Sequence, residues 1–377
     1  MPLGTLNLLD LSRQLPGPFC STLLADLGAD VLMVGNPNDP LGTGIGFLAR
    51  NKRSMTLNLK TDVGREILLR LAAEADVLLE GYRPGVPQRL GIDYETLRAR
   101  NPRLIYCSIS GYGQDGPYRD RVGHDVNYLG YAGVLNFIGE AAGPPVLSGV
   151  QIADIAGGGL MAAVGVLTAV IAREQTGRGQ FVDIAMLDGS LSCNAYHILL
   201  YLLSGRLPQR GGEQLTGRYP CYAVYRTRDG RHVTVGAFEP HFWATLCRHF
   251  GREDFIESQW DDGARREEMF AFFRNAFGQK TLAEWVQELA DKDVCFGPVN
   301  TLEETFADPQ VRHRQMIVEM DGAHGPTLVT GTPIKLSETP GSLRTPPPAF
   351  GEHTAAVLAS LGYGDAQIAQ MRSAGVI

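Results

Sequence analysis

Apolar runs separated by amphipathic segments organise the first half of the chain. LNLLDLS (6–12), DVLMVG (30–35), SMTLNL (54–59), DVLLEGY (76–82) and LIYCSIS (104–110) are mostly apolar, bounded by polar or Gly/Pro-containing stretches, and predict strands. Between them FCSTLLADLGA (19–29), DVGREILLRLAAEA (62–75) and YETLRAR (94–100) carry helical spacing. Strands apolar on both faces and alternating with helices predict a parallel sheet covered on both sides, an α/β domain. Helical stretches follow near 126–138 and 157–175, then a strand at FVDIAM (181–186) and a helix over 190–205. The most apolar run, Gly157 to Ala172, falls short of the ~20 residues that cross a bilayer and predicts a buried helix.

The pattern changes at 206–220, where PQRGGEQLTGRYP suggests a linker. CYAVYRT (221–227) and HVTVGAF (232–238) flank Asp229-Gly230, a strong hairpin signal. Helices are expected over 240–250, 264–277 and 281–293, the last opened by the capping box Thr281-x-x-Glu284, and Thr301-x-x-Glu304 opens another. Pro340 to Phe350 reads as an extended Pro-rich connector before two closing amphipathic helices. The expected division is a large α/β domain over 1–205 completed by 351–377, a linker at 206–220, a small α+β domain over 221–339, and a return linker at 340–350. A length of 377 residues suits two domains.

Composition narrows the class. Hydrophobic residues make up 44% and charged residues 20%, as in an ordinary globular protein. The 34 basic and 41 acidic residues leave a net charge of −7, and no basic stripe is present for nucleic-acid phosphates. Six scattered cysteines, none in a C-x-x-C, match neither a disulfide framework nor a zinc site, and a reducing cytoplasmic location is expected. No secretory signal pattern opens the sequence and no membrane association is expected.

Two glycine motifs invite a nucleotide reading. Gly111-x-Gly113-x-x-Gly116 follows the fifth predicted strand rather than the first, and no apolar helix follows it, so it predicts a loop that lets backbone approach a ligand or another segment. Gly42-x-Gly44-x-Gly46 lacks a P-loop lysine. Arg50, Lys52 and Arg53 form a basic cluster suited to an anion or to solvent. His124 abuts Asp125, and Asp154 stands near the start of the apolar helix, where an N-cap role is the plain alternative. Together His124 and Asp154 offer two different proton carriers, with helix N-terminal amides available for a developing oxyanion.

LLADLGADVLMV (23–34), RNKRSMTLNLK (50–60), ADVLLEGYRPGVPQRLG (75–91), GHDVNY (123–128) and GRGQFVDIAMLDG (177–189) resemble the class III coenzyme-A transferase superfamily of CaiB/BaiF type, and within it the α-methylacyl-CoA racemase branch. The resemblance implies a Rossmann-like large domain, a smaller domain, and an interlocked homodimer whose acyl-CoA site lies between the large domain of one subunit and the small domain of the other. It implies His124 and Asp154 as the acid/base pair, supported by Asp125 and Glu239. CoA contacts are implied for Arg50, Leu57, Asn58, Leu59, Lys60, Gly81, Tyr82, Arg83, Arg89, Gly123 and Tyr128, with no cofactor beyond the CoA thioester itself. Amides at the Gly157–Gly159 helix are expected to face the thioester oxygen. The expected reaction is racemisation of a 2-methylacyl-CoA through an enolate; the alternative is CoA transfer through an Asp154 acyl-enzyme.

Overall fold

A computed structural model describes residues 1–39, 46–322 and 325–377. The second glycine motif falls largely outside these residues. Six parallel strands form the main sheet: β1 (Asn7–Asp10), β2 (Asp30–Gly35), β3 (Lys52–Thr56), β4 (Val77–Glu80), β5 (Ile105–Ser110) and β6 (Phe181–Ala185), in the order β3-β2-β1-β4-β5-β6. The chain moves outward from β1 to β3 and then returns to place β4 on the other side of β1. That reversal opens a crevice beyond the carboxyl ends of β1 and β4, the usual ligand position in a doubly wound sheet.

Helices α1 (Pro16–Asp26), α2 (Asp62–Glu74), α3 (Val86–Leu90), α4 (Tyr94–Arg100) and α5 (Asp125–Tyr131) connect the strands or follow them. Both sheet faces are buried, one with α2 under Leu9, Leu32, Leu78 and Tyr106, the other with α1 under Leu8, Val31, Leu79 and Ile109. This two-sided burial is why the strands read as apolar runs. Helix α6 starts as a π-helical stretch (Ala153–Leu160) and continues as α-helix (Met161–Thr176). Its 24 residues are long and apolar enough to cross a membrane, so the length argument from the shorter apolar run fails. Nor is it wholly buried. Ala162, Val166, Ala169 and Arg173 face the interior, whereas Val164 and Ile171 are exposed. Arg173, almost fully buried, pairs with Asp76 at 2.9 Å.

Helices α7 (Met186–Cys193) and α8 (Ala195–Ser204) lead to the hairpin β7 (Tyr222–Arg226) and β8 (His232–Gly236). The turn forms at the expected Asp-Gly, with Gly230 at φ 79°. Helices α9 (Pro240–His249), α10 (Ala264–Phe277) and α11 (Leu282–Leu289) enclose an aromatic core of Trp243, Phe255, Phe273, Phe277 and Trp285. Both indoles donate to backbone carbonyls, Trp243 to Phe255 at 3.0 Å and Trp285 to Phe277 at 2.8 Å. Thr281 caps α11 as expected. A third strand, β9 (Phe296–Pro298), completes the sheet; three residues ending in proline gave no strand signal. Helices α12 (Leu302–Ala307) and α13 (Pro309–His313), the hairpin β10 (Ile317–Met320) and β11 (Thr327–Thr330), and helices α14 (Thr354–Ser360) and α15 (Asp365–Ser373) follow.

The chain divides into two compact units: Met1–Leu135, Ser148–Ala195 and Pro309–Ile377 form the large one, and Asn136–Leu147 with Tyr196–Asp308 the small one. These boundaries differ from the expected ones. Residues 206–220 belong to the small unit and are well tied within it: buried Glu213 accepts two hydrogen bonds from Arg206 and one from the Gln209 amide, and Tyr219 packs on Trp260. Arg210 fastens 136–147 through the Asn136 carbonyl at 2.7 Å. The stretch 340–350 straps onto the large unit, where the Ser342 amide donates to Asp26 and Asn51 Oδ1 accepts the amides of Arg344 and Thr345.

Candidate active site

A cavity of about 970 Å³ opens in the large unit where the strand order reverses. Arg13 after β1, Gly81 to Pro84 and Val86 after β4, and Ser110 at the end of β5 with Gly111 and Tyr112 line it, with Gly123, His124 and Tyr128 on its further wall. A smaller cavity of about 300 Å³ adjoins it, bounded by Gly35 at the end of β2, Asn36 after it, and Leu57 to Lys60 after β3. Arg13, Asp39, Tyr82 and Val86 line both. The two therefore make one elongated crevice along the strand ends.

His124 is exposed and immediately precedes α5, where Asn127 Oδ1 accepts its backbone N–H at 3.0 Å. Asp125, in the first turn of that helix, accepts the backbone N–H of Asp154 at 3.0 Å. This bond brings two segments 29 residues apart together and puts two carboxylates side by side. Burial pushes the Asp154 carboxyl up to about 6; the Asp125 charge adds to the rise and His124 opposes it. Asp154 does not cap α6: the capping position is Ile152, and the Asp154 side chain makes no cap hydrogen bond. It sits instead in a π-helical turn, a geometry often kept where a side chain must be aimed.

Tyr128 fixes the wall behind His124. Its hydroxyl donates to the Gly123 carbonyl at 2.6 Å, and burial pushes its pKa up to about 12, with smaller contributions from Tyr112 and Asp154. A Cβ at Gly111 would come within 2.5 Å of the Tyr128 ring, and one at Gly123 within 2.8 Å. The first glycine motif thus admits a tyrosine rather than a dinucleotide.

A family model for CoA-transferase family III matches residues 3–354. The chain belongs to this family. Mouse α-methylacyl-CoA racemase is 37% identical over 382 residues, covering 100% of this chain and 98% of the relative. Human succinyl-CoA:glutarate CoA-transferase is 33% identical over 396 residues, covering 100% and 90%. The crystal structure of a CAIB/BAIF family protein from Brucella suis superposes with a TM-score of 0.84 at 32% identity, over 96% of this chain and 99% of that one. Family III thus includes racemases and transferases at similar distance from this chain.

Of the CoA contacts expected for a family III chain, Leu57, Asn58, Leu59, Lys60, Gly81, Tyr82, Arg83, Gly123 and Tyr128 line the crevice. Asn58 is held by residues far along the chain: its amide donates to the Val376 carbonyl at 2.7 Å and its side chain to the Gly375 carbonyl at 3.1 Å. Arg89 is exposed on α3 and is not among the lining residues. Glu239 lies in the small unit, directly before α9, with its charge felt by Cys295.

Arg50 is a correction. It is 3% exposed and grips Asp26 with two nitrogens, Nη2 at 2.7 Å and Nε at 3.2 Å, leaving no guanidinium face for a phosphate. The other members of the basic cluster are likewise committed. Lys52 is buried against Asp10 and donates to Ser21 and the Pro18 carbonyl, and Arg53 pairs with Asp30. The Gly157–Gly159 amides are a second correction. The helix begins at Ala153, and the three glycines permit its close packing on Met186, Pro16 and Phe19. Sequence reasoning missed Arg13, Arg119 and Arg121, which line the large cavity. Arg13 had a signal, being three residues past the end of the first strand of a parallel sheet; Arg119 and Arg121 lie in an irregular loop and had none.

Proposed function

We propose that the protein is a racemase or epimerase interconverting (R)- and (S)-2-methylacyl-CoA thioesters. The observation that carries this is an imidazole on the cavity wall coupled to a carboxyl raised to about 6, toward the range in which imidazoles titrate. Two-face exchange needs two carriers, because one fixed side chain cannot serve both sides of a carbon. One carrier takes the α-proton and the C–H electron pair moves into the enolate, placing charge on the thioester oxygen. The other carrier delivers a proton to the opposite face, the electrons return, and nothing is consumed. The substrate's own carbonyl is the electron sink, so the reaction calls on no metal or redox cofactor.

In this scheme the CoA lies along the elongated crevice, with Arg83 and Lys60 offering positive charge and Arg13 beside its partner Asp39. Glu239 is supplied by a second copy of the chain in an interlocked dimer, for which the exposed apolar residues Val164 and Ile171 of the large unit and Leu202 and Leu203 of the small unit offer contact surface. CoA transfer is the second reading, supported by the transferase relatives and served by the same Asp154 as nucleophile. Incubation in D₂O separates the two. Racemisation predicts deuterium at the α-carbon of a 2-methylacyl-CoA with no carboxylate acceptor present. Transfer of CoA to an added acid without α-exchange would reject it.

A further inference from the structure

Glu80 is the last residue of β4 and is 1% exposed, yet among the described residues no basic side chain pairs with it. Its Oε2 accepts the backbone N–H of Tyr82 at 2.6 Å, and the Ser108 hydroxyl bonds the same carboxylate. Glu80 stands opposite Ser108 in the β4–β5 register, and Ser108 opposite Asp183 in the β5–β6 register. Gln114 closes the row, its side chain donating to Ser108 Oγ at 2.9 Å and its amide to Asp183 Oδ2 at 3.0 Å. A polar ladder therefore crosses β4, β5 and the edge strand β6 directly below the segment Gly81, Tyr82 and Arg83. Tyr82 lines both cavities.

Burying a carboxylate without a counter-charge is costly, and a sheet interior has cheaper ways to end a strand. We propose that Glu80 is a positioning residue: its carboxylate, anchored by Ser108, holds the Tyr82 amide and so sets the course of the turn that receives the ligand. The role presupposes the acyl-CoA site proposed above. Burial pushes Glu80 up to about 7, opposed by its bonds to Ser108 and Tyr82 and reinforced by Asp183. The other titratable groups that feel it are Tyr82, Tyr106 and Cys107, none of them basic. The clamp is charged above neutrality and neutral below it.

Glu80→Gln keeps the shape and an acceptor oxygen but fixes the neutral state. With CoA as probe, calorimetric titration of the full-length protein should give a variant-to-wild-type Kd ratio of about tenfold at about pH 8, falling toward one at about pH 6. Taking the ratio cancels the titration of the ligand's own phosphates. A ratio of one at both pH values, or one that does not change with pH, overturns the proposal. Hydrogen exchange at the Tyr82 amide without ligand is the second readout. Faster exchange in the variant at the higher pH is expected, and unchanged protection also overturns the role. Should wild-type protein fail to bind CoA, the ligand assignment falls, while Tyr82 protection still decides what Glu80 does. If Glu80→Gln does not fold, Ser108→Ala removes a donor to the carboxylate and should move the affinity transition to higher pH; no movement counts against the proposal.

Discussion

Two clusters of acids in the large unit have opposite surroundings. Asp26 is fully buried and answered by Arg50 at 2.7 Å and Asn51 at 2.8 Å, and Asp10 by Lys52, Ser12 and Ser21. Each acid there has donors enough, and even Lys52, lowered by burial to about 8, keeps Asp10 at 3.6 Å. Asp154 is only partly buried, and the nearest charge to which it is tied is another carboxylate, Asp125. The first cluster is arranged to hold strands and straps in place. In the second, burial and a like charge raise a carboxyl to about 6, a condition that costs stability and that the proposed chemistry would use.

The contrast can be broken at three points. Asp154→Asn should remove α-proton exchange by about 10³-fold or more. It should leave thermal stability at about pH 8 no lower than wild type, because a carboxyl raised on folding from 3.8 to about 6 takes stability away as pH climbs between those values. A large fall in melting temperature would place Asp154 with the structural acids. Arg50→Ala should do the reverse: it strands a buried charge and should cost about 3–5 kcal/mol in urea unfolding. The folded fraction should keep the wild-type affinity for CoA, and a selective loss of affinity would restore Arg50 to the ligand site. The smallest effect is expected from Asp125→Asn, which keeps the acceptor for the Asp154 amide and removes only the like charge. The acid limb of the kcat/KM profile should move to lower pH, with less than about tenfold change in rate at about pH 8. An upward move would show that Asp125 does not raise Asp154.

The sequence made the strands legible because burial on both faces leaves them apolar, and it made His124, Asp125 and Asp154 legible as an unusual set of titratable groups. Strand order left no local mark: that β4 lies beside β1 is a matter of long-range pairing. The same holds for Arg50, whose partner is 24 residues upstream at the end of α1, beyond strand β2, so that its charge alone read as available. Residues 206–220 misled for a related reason. Glycine, proline and glutamine indicate irregular backbone, but irregular backbone can still be bonded tightly, as Glu213 is. The third strand of the small unit was too short to stand out, and Arg119 and Arg121 sit in a loop whose only regularity is what surrounds it.

The fastening of Asn58 carries a practical meaning for anyone altering this enzyme. The groups that hold it are main-chain oxygens of Gly375 and Val376, which every amino acid possesses. Yet Gly375 holds its carbonyl in place at a φ of 66°, which favours glycine, and Val376 is buried in the core, so exchanging either would strain the hold, and cutting the polypeptide before them would release a wall of the crevice more than three hundred residues away in sequence. These last residues thus tolerate neither free exchange nor shortening.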